Sequence, residues 1–236
     1  RGSRLEPDEG YKLLVEIGGR SLLARHLQNF RQLGVTDVTV VTGFEHEELD
    51  ETIQNWPAPQ GMELHTAINP AFDDGNGLSV LAGVMQARRN EAIDAAEPYW
   101  LTMSDHIFAP EIFEAIAVGE DLEEPGFDGV LAVDSKVDEV YDLPDANKIA
   151  VDEHGRLAEI GKELDEIDLI DTGLFWCGRG FSEALDAERK ERGECSTSDA
   201  VGDLSEAGRF RFWDVGDALW QDVDTPGARE HAASIF

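Results

Sequence analysis

The sequence predicts an α/β protein, with a Rossmann-like, mostly parallel sheet flanked by helices and a small β-hairpin layer. Short apolar runs alternate with segments whose apolar residues recur at helical spacing, which is the pattern of βαβ units. The chain has 236 residues, enough for one large core, and neither a repeat nor a linker divides it. We therefore expect residues 1–236 to form a single domain.

In the first half of the chain, predicted helices and strands follow one another in turn. The segment SLLARHLQNFRQLG places Leu23, Leu27 and Phe30 on one helical face and ends at Gly34. The predicted strands that follow are DVTVVTGF, MELHTAIN, PYWLTMSDH and DGVLAVDS, and between them lie the helices HEELDETIQNW, GLSVLAGVMQARRN and PEIFEAIAVG. The last of these helices begins with a proline, which suits a first helical turn.

The second half of the chain begins with a different pattern. The segment NKIAVDEHGRLAEIG predicts a hairpin of two short strands around a turn that contains Gly155. The remaining elements are predicted as the strand DLIDTGLFWC, helices near residues 181–190 and 198–207, the strands RFRFWDV and LWQDVD, and a closing helix from Pro226.

Acidic residues dominate the composition. Fifty Asp and Glu against 19 Lys and Arg give a net charge of −31, spread along the whole chain. Such a charge repels nucleic acid and anionic membranes, while molar salt screens its self-repulsion. No apolar run approaches the ~20 residues of a membrane span. The two cysteines, Cys177 and Cys195, suggest no disulfide framework, so we expect a reducing, salt-rich cytoplasm, as in a halophile.

Polar side chains follow two apolar strands directly. LTMSDHIF leads into Ser104, Asp105 and His106, and LWQDVDTP carries Asp222 and Asp224. Ligands of open α/β sheets bind beyond the carboxyl ends of the strands, and paired carboxylates suit Mg²⁺. The alternative is that these aspartates cap the helices predicted to follow at Pro110 and Pro226. Because residues two apart share a strand face, Asp222 competes with Asp224 for the metal position.

Two glycine-containing segments suggest contact with a nucleotide. In DDGNGLSVLAG, Gly75 and Gly77 would let the backbone approach a flat ligand, and Asn76 could hydrogen-bond a base edge. A plain turn before a helix explains the same residues. The opening segment RGSRLEP, followed by Lys12, fits either a phosphate cradle or a solvated loop. The sequence contains neither a P-loop motif nor a G-x-S-x-G elbow, which argues against P-loop enzymes and serine hydrolases.

Taken together, these motifs resemble the sugar-nucleotide pyrophosphorylase family of nucleotidyltransferases over nearly the whole chain. RGSRLEP, Lys12 and IGGRSLL match the second half of its opening signature. The inositol-1-phosphate cytidylyltransferase branch is most similar, through DDGNGLSVL, LTMSDHIF, NKIAVDEHGRLAEIGKEL, DLIDTGLFWC, STSDAV and WQDVDTP. The resemblance implies a fold of the nucleotide-diphospho-sugar transferase type. It also implies a first strand and the start of the phosphate loop ahead of Arg1, which the given chain lacks.

The resemblance further implies a role for each matched residue. Lys12 and Arg4 would contact phosphates during transfer, and Lys162 would bind the acceptor phosphate. The nucleotide would lie against Gly2, Ser3, Gly75, Asn76, Gly77 and Ser104, the acceptor against Asp171, Thr172, Gly173, Ser198 and Asp199, and Mg²⁺ against Asp105 and Asp224.

The implied reaction transfers a cytidylyl group from CTP to inositol 1-phosphate, giving CDP-inositol and pyrophosphate. Within the same class, phosphocholine or a sugar 1-phosphate is an alternative acceptor and another NTP an alternative donor. An aromatic cage for phosphocholine could come from Trp176, Trp213 and Trp220. Outside the class, DVD matches the D-x-D pair of glycosyltransferases, and a non-catalytic nucleotide sensor is a further alternative.

Overall fold

The computed structural model describes residues 11–44, 46–91, 97–119, 122 and 126–236. Its helices are α1 Leu22–Gln32, α2 His46–Gln54, α3 Asn76–Arg89, α4 Pro110–Gly119, α5 Arg179–Arg192, α6 Thr197–Glu206 and α7 Pro226–Ile235. Its strands are β1 Glu16–Ile17, β2 Arg20–Ser21, β3 Asp37–Thr42, β4 Glu63–Ile68, β5 Tyr99–Thr102, β6 His106–Phe108, β7 Gly129–Asp134, β8 Lys148–Val151, β9 Leu157–Gly161, β10 Leu169–Cys177, β11 Phe210–Asp214 and β12 Trp220–Asp222. The predicted order of helices and strands is confirmed, whereas the short β1–β2 pair and the separate strand β6 were not predicted.

The central sheet has the strand order β11–β7–β10–β8–β9, and β5 pairs with the second half of β10. Strand β10 is antiparallel to β5, β7 and β8, and β11 is parallel to β7. Strands β5, β7 and β11 therefore point the same way. The α/β class is confirmed, but the sheet is mixed, because β10 follows the β8–β9 hairpin and needs no helical crossover.

Alternate residues of β7 and β10 face opposite sides of the sheet, as the pleat requires. On one side Val130 and Leu174 pack with the apolar faces of α1 and α4. On the other side Leu131 and Phe175 pack with α3, α5 and α6. Cys177 is fully buried on this second side. These two layers make the sheet a rigid support whose edge can hold a site.

Smaller pairings complete the frame around that edge. The hairpin β8–β9 is present as predicted, and Gly155 in its turn has a φ of 74°. Strand β3 pairs with β4 in parallel, and β6 pairs with β12 in antiparallel register. No helix within the described residues is long and apolar enough to cross a membrane.

Candidate active site

A cleft of about 690 Å³ opens at the edge of the sheet where β5 and β7 end and β10 begins. This is the edge at which α/β sheets bind ligands. Its size falls within the usual range for small-molecule sites. The predicted site residues that line it are Asn76, Asp105, Lys162, Asp171, Gly173, Ser198 and Asp224.

Three carboxylates, from Asp105, Asp222 and Asp224, meet at one side of the cleft, and we call them the acidic trio. One oxygen of each lies within 4.8 Å of the other two. The β6–β12 pairing brings them together, because it sets Asp222 opposite His106 and lets the Val223 amide donate to the Asp105 carbonyl at 2.9 Å. Asp222 and Asp224 therefore both belong to the trio.

Neither of the two predicted ligands serves as a helix cap. The N-cap of α7 is Thr225, whose hydroxyl accepts a hydrogen bond from the Ala228 amide at 3.1 Å. Asp105 lies in the turn between β5 and β6, and its carboxylate lies 3.0 Å from the Nδ1 of His106. Both carboxylates are thus available to the cleft.

Lys12 lies against the acidic trio. Its ammonium donates to Asp105 Oδ2 at 3.2 Å and to Asp224 Oδ1. The neighbouring Leu13 is buried in the core and fixes the short 3-10 turn of residues 12–14. Burial alone would lower the pKa of Lys12, but the charges of the two carboxylates raise it overall. Lys12 is therefore a stable cation at the site.

An aromatic stack orients Asp105. The His106 ring is nearly parallel to the rings of Phe108 and Trp220, with centroids 6.1 Å away in each case. Trp220 in turn donates from Nε1 to Asp134 Oδ2 at 2.8 Å. Although burial disfavours its charge, hydrogen bonding and the charge of Asp105 raise the pKa of His106. The His106 ring held in this stack fixes one oxygen of Asp105.

Burial and mutual repulsion act differently within the trio. Burial raises the pKa of Asp222 to about 6, and burial also raises the pKa of Asp224. Burial opposes ionisation of Asp105 too, but His106 and Lys12 outweigh it and lower its pKa. The Oδ1 of Asp222 is inaccessible and has no hydrogen-bond partner. A buried, unpartnered oxygen beside two further carboxylates is a donor set that fits a divalent cation such as Mg²⁺.

A second polar group forms the opposite wall of the cleft. Asn147 donates from Nδ2 to Asp171 Oδ2 at 3.0 Å and to Ser198 Oγ at 3.3 Å. The Gly173 amide donates to Asp171 Oδ1 at 2.8 Å. Gly173 has a φ of 77° at the irregular register of β10, and a Cβ there would lie 2.8 Å from Met103 Cγ. The bulge thus turns Asp171 toward the cleft, and burial raises the pKa of this carboxyl group.

Lys162 borders the same wall. Its ammonium, half exposed, donates to Asp145 Oδ1 at 3.0 Å. The buried Lys148 holds the surrounding loop, because its ammonium donates to the carbonyl oxygens of Pro144 and Ala146 at 3.3 Å and of Lys162 at 2.5 Å. Lys148 is therefore structural, while Lys162 has an accessible cation.

The structure places Thr172 and Asp199 away from the cleft lining. Thr172 is fully buried, and its hydroxyl donates to the Ala132 carbonyl at 2.8 Å inside the sheet. Asp199 forms the capping box of α6, because its carboxylate accepts from the amide and the hydroxyl of Ser196 at 2.7 Å each. The sequence did not predict that Thr172 bonds inside the sheet or that Asp199 caps α6.

The DDGNG segment packs against a neighbouring loop. A Cβ at Gly75 would lie 2.4 Å from the Cys195 carbonyl oxygen, and one at Gly77 would lie 2.8 Å from it. Asn76 lines the cleft, but its side chain exchanges two hydrogen bonds with Thr197, at 3.0 and 2.9 Å. Close packing on Cys195 therefore requires both glycines, whatever ligand lies nearby.

The remaining predicted nucleotide contacts are Ser104 and three residues of the opening segment. Ser104 is exposed in the turn between β5 and β6. Gly2, Ser3 and Arg4 lie outside the described residues. Conversely, the role of Asn147 in joining Asp171 to Ser198 was missed, although it opens the quoted NKIAV motif.

Comparison with known proteins identifies the chain's relatives. The profile of the MobA-like NTP transferase domain matches residues 1–139. A protein of Rubrobacter xylanophilus, named bifunctional IPC transferase and DIPP synthase, is 32% identical over 228 residues, covering 95% of this chain and 47% of that protein. The protein of the same name from Aquifex aeolicus is 24% identical over 233 residues, covering 98% and 48%. The chain spans about half the length of these relatives.

A solved structure has the same architecture. The inositol-1-phosphate CTP transferase from T. maritima aligns with a TM-score of 0.75 and 22% identity, covering 99% of this chain and 91% of that one. The expected fold of the nucleotide-diphospho-sugar transferase type is therefore confirmed.

Proposed function

Because the chain belongs to the MobA-like NTP transferase domain family, we propose that it transfers a cytidylyl group from CTP to inositol 1-phosphate. The observation that carries this proposal is that two different walls share one cleft: the acidic trio with Lys12, and the polar group of Asn147, Asp171 and Ser198. The names of the relatives and of the similar structure support the choice of donor and acceptor.

The proposed reaction needs no general base. An anionic oxygen of the inositol phosphate attacks the α-phosphorus of CTP and forms the new P–O bond. The bond from the α-phosphorus to the bridging oxygen breaks, and pyrophosphate leaves with the electron pair. Because the nucleophile is already an anion, the protein contributes position and charge stabilisation.

The acidic trio would hold the metal ion of this reaction. Mg²⁺ on Asp105, Asp222 and Asp224 would neutralise phosphate charge and orient the triphosphate. Lys12, next to the trio, contributes a cation for the leaving pyrophosphate. Gly2, Ser3 and Arg4 are proposed to surround the triphosphate, and Gly75, Asn76, Gly77 and Ser104 to lie on the side of the base.

The opposite wall suits a polyol phosphate. The Asp171 carboxylate accepts hydrogen bonds from hydroxyl groups, while Asn147 and Ser198 offer both donors and acceptors. Lys162, at the same wall, is proposed to bind the acceptor phosphate. Thr172 and Asp199 would support this wall indirectly, because their side chains bond within the sheet and at the start of α6. Gly173 would help to position Asp171 through its amide.

The alternatives find less support in the geometry. Of the three tryptophans considered for a choline cage, only Trp220 lines the cleft, whereas Trp176 packs on Phe127. Although the DVD segment does contribute two carboxylates, the family assignment favours nucleotidyl transfer over glycosyl transfer. A nucleotide sensor would bind CTP without turnover.

Pyrophosphate release by the purified full-length protein tests the proposal. We expect release only when CTP, Mg²⁺ and inositol 1-phosphate are all present. UTP, dTTP, phosphocholine and glucose 1-phosphate form the comparison panel. If phosphocholine or glucose 1-phosphate gave product and inositol 1-phosphate did not, the proposed acceptor would be wrong. If nucleotide bound but no acceptor gave product, the nucleotide sensor would be favoured.

We also propose that the protein works in a salt-rich cytoplasm. The net charge of −31 supports high salt, and both cysteines are free and buried, which fits a reducing compartment.

A further inference from the structure

The ammonium of Lys12 lies where a divalent cation would bind. It donates to Asp105 Oδ2 and to Asp224 Oδ1, and these two carboxylates belong to the group whose oxygens lie within 4.8 Å of one another. A metal ion on the trio would need carboxylate oxygens that Lys12 already engages. The ammonium and the metal therefore compete for the same partners.

The backbone of Lys12 is fixed while its side chain is long enough to move. Leu13 is buried, and the Val15 amide donates to the Lys12 carbonyl at 3.0 Å, so the turn has a defined position. The four-carbon stem of a lysine has freely rotating bonds and carries a compact charge. One anchored residue can thus place its ammonium either on the trio or on a nearby phosphate.

We propose that Lys12 is a displaceable counter-ion of the metal site. In the free protein it neutralises part of the trio's charge and weakens binding of a lone divalent cation. When nucleotide binds, the ammonium exchanges the carboxylates for the triphosphate, and the trio becomes free for the metal. Metal and nucleotide then bind tightly only together. The nucleotide half of this proposal rests on the proposed function, whereas the competition with metal does not.

Titration of the nucleotide-free protein with Mn²⁺ tests the competition. The amount of free Mn²⁺ is measured from its electron paramagnetic resonance signal. Lys12→Gln should bind Mn²⁺ about 10- to 100-fold more tightly than the wild type, the range expected for removing charge-assisted hydrogen bonds. The matched control is Lys136→Gln. It also removes one positive charge from the cleft, but the ammonium of Lys136 is bonded to Asp134 and not to the acidic trio. The Mn²⁺ affinity of this control should stay within about two-fold of the wild type. If Lys12→Gln bound Mn²⁺ with the same affinity as the wild type, the proposal would be overturned.

Adding Asp224→Asn to Lys12→Gln locates the effect. The double variant should lose the gain in Mn²⁺ affinity, because one carboxylate of the trio is gone. A gain that persists would mean that the metal binds elsewhere, and the proposal would fail.

A measurement on the wild-type protein avoids any loss of folding in the variants. Acetylation of lysines, read by mass spectrometry, should label Lys12 several-fold faster when Mn²⁺ is added, because the ammonium is released from the trio. The exposed Lys190, paired with Asp186, is the internal reference. An unchanged ratio of Lys12 to Lys190 labelling would overturn the proposal. Neither experiment contains CTP, so failure of cytidylyl transfer leaves both results interpretable.

Discussion

At the scale of single residues, Asp222 shows how burial affects a carboxylate at the candidate metal site. Its Oδ1 has neither solvent nor a hydrogen-bond partner, and burial raises the pKa of its carboxyl group to about 6. A buried carboxylate without compensation is costly, so a cation that binds it recovers free energy. We therefore propose Asp222 as a metal ligand in addition to Asp105 and Asp224, and the three variants should behave alike.

We predict that Asp105→Asn, Asp222→Asn and Asp224→Asn each lower turnover at limiting Mg²⁺ by about two decades or more, because a bound metal supplies several kcal/mol of charge stabilisation. Steady-state rates at several Mg²⁺ concentrations measure this. Asp217→Asn is the matched control, since Asp217 lines the cleft outside the trio. Turnover like that of the wild type in Asp222→Asn would remove this residue from the site.

Lys162 gives a test of the proposed acceptor-binding wall, the side of the cleft formed by Asn147, Asp171 and Ser198. Lys162→Ala should raise the KM for inositol 1-phosphate by about one to two decades, the value of a charge-assisted contact, and leave the KM for CTP nearly unchanged. Lys190→Ala, on the exposed face of α5, is the control for the loss of one charge. An equal rise in both KM values would contradict the assignment of Lys162 to the acceptor.

Stability at acid pH depends on a buried histidine of α1. Burial, together with the charge of His106, lowers the pKa of His26 to about 4. Between pH about 6.5 and 4 the unfolded chain therefore binds a proton that the folded chain does not. The free energy of unfolding falls as the pH falls through this window, by roughly 3 kcal/mol at its end.

We predict that His26→Gln, which cannot titrate, makes the melting temperature fall less steeply between pH 6.5 and 4. Thermal melts at a series of pH values, in molar KCl, measure the slope. Above pH 6.5 the two curves should run parallel, which is the internal control. The prediction fails if both proteins lose stability equally across the acid window.

At the scale of elements, local patterns predicted which segments become helices and strands, but not how distant segments meet. Leu23, Leu27 and Phe30 indicated α1 from spacing alone. By contrast, the register that pairs β6 with β12 joins residues more than a hundred positions apart. Sequence alternation left Asp222 and Asp224 as competitors, and only this pairing shows that both reach Asp105.

The same limit applies to the helix starts. From the sequence, Gly75 and Gly77 could be explained either by close approach of a ligand or by a plain turn before a helix. The structure shows that both glycines pack against Cys195, over a hundred residues away. Asp199 matched a family motif, yet its carboxylate serves the capping box of α6. A motif identifies a segment, but the direction of each side chain follows from tertiary packing.

We predict that Gly77→Ala destabilises the protein by about 1–3 kcal/mol, although alanine favours helices, because its Cβ would overpack against Cys195 and Leu185 at 2.8 Å. Gly202→Ala in α6 is the matched control. A Cβ there meets nothing within 4 Å, so the same change should stabilise by about 0.5–1 kcal/mol. Denaturant unfolding compares the two, and a stabilised Gly77→Ala would refute the packing argument.

At the scale of the whole molecule, the few cations are used locally. Several pair with acids one helical turn away, as Arg179 does with Glu183 and Lys190 with Asp186. Lys12 instead contacts the acidic trio, and Lys162 lines the cleft. Local pairs leave most of the acid excess uncompensated, so the surface as a whole repels itself.

We predict that the melting temperature rises steadily as KCl increases from about 0.1 M to above 1 M, because the Debye length falls from about 10 Å to about 3 Å and screens the net charge of −31. For a chain of this size, each kcal/mol gained raises the midpoint by roughly 2–4 °C, so a gain of a few kcal/mol is readily measured. Sorbitol at matched osmolality is the control for general exclusion effects. A variant with several exposed glutamates changed to glutamine should start at a higher midpoint in dilute salt and respond less to KCl. A wild-type midpoint that stays flat over the whole range would show that its acidic surface is not adapted to salt.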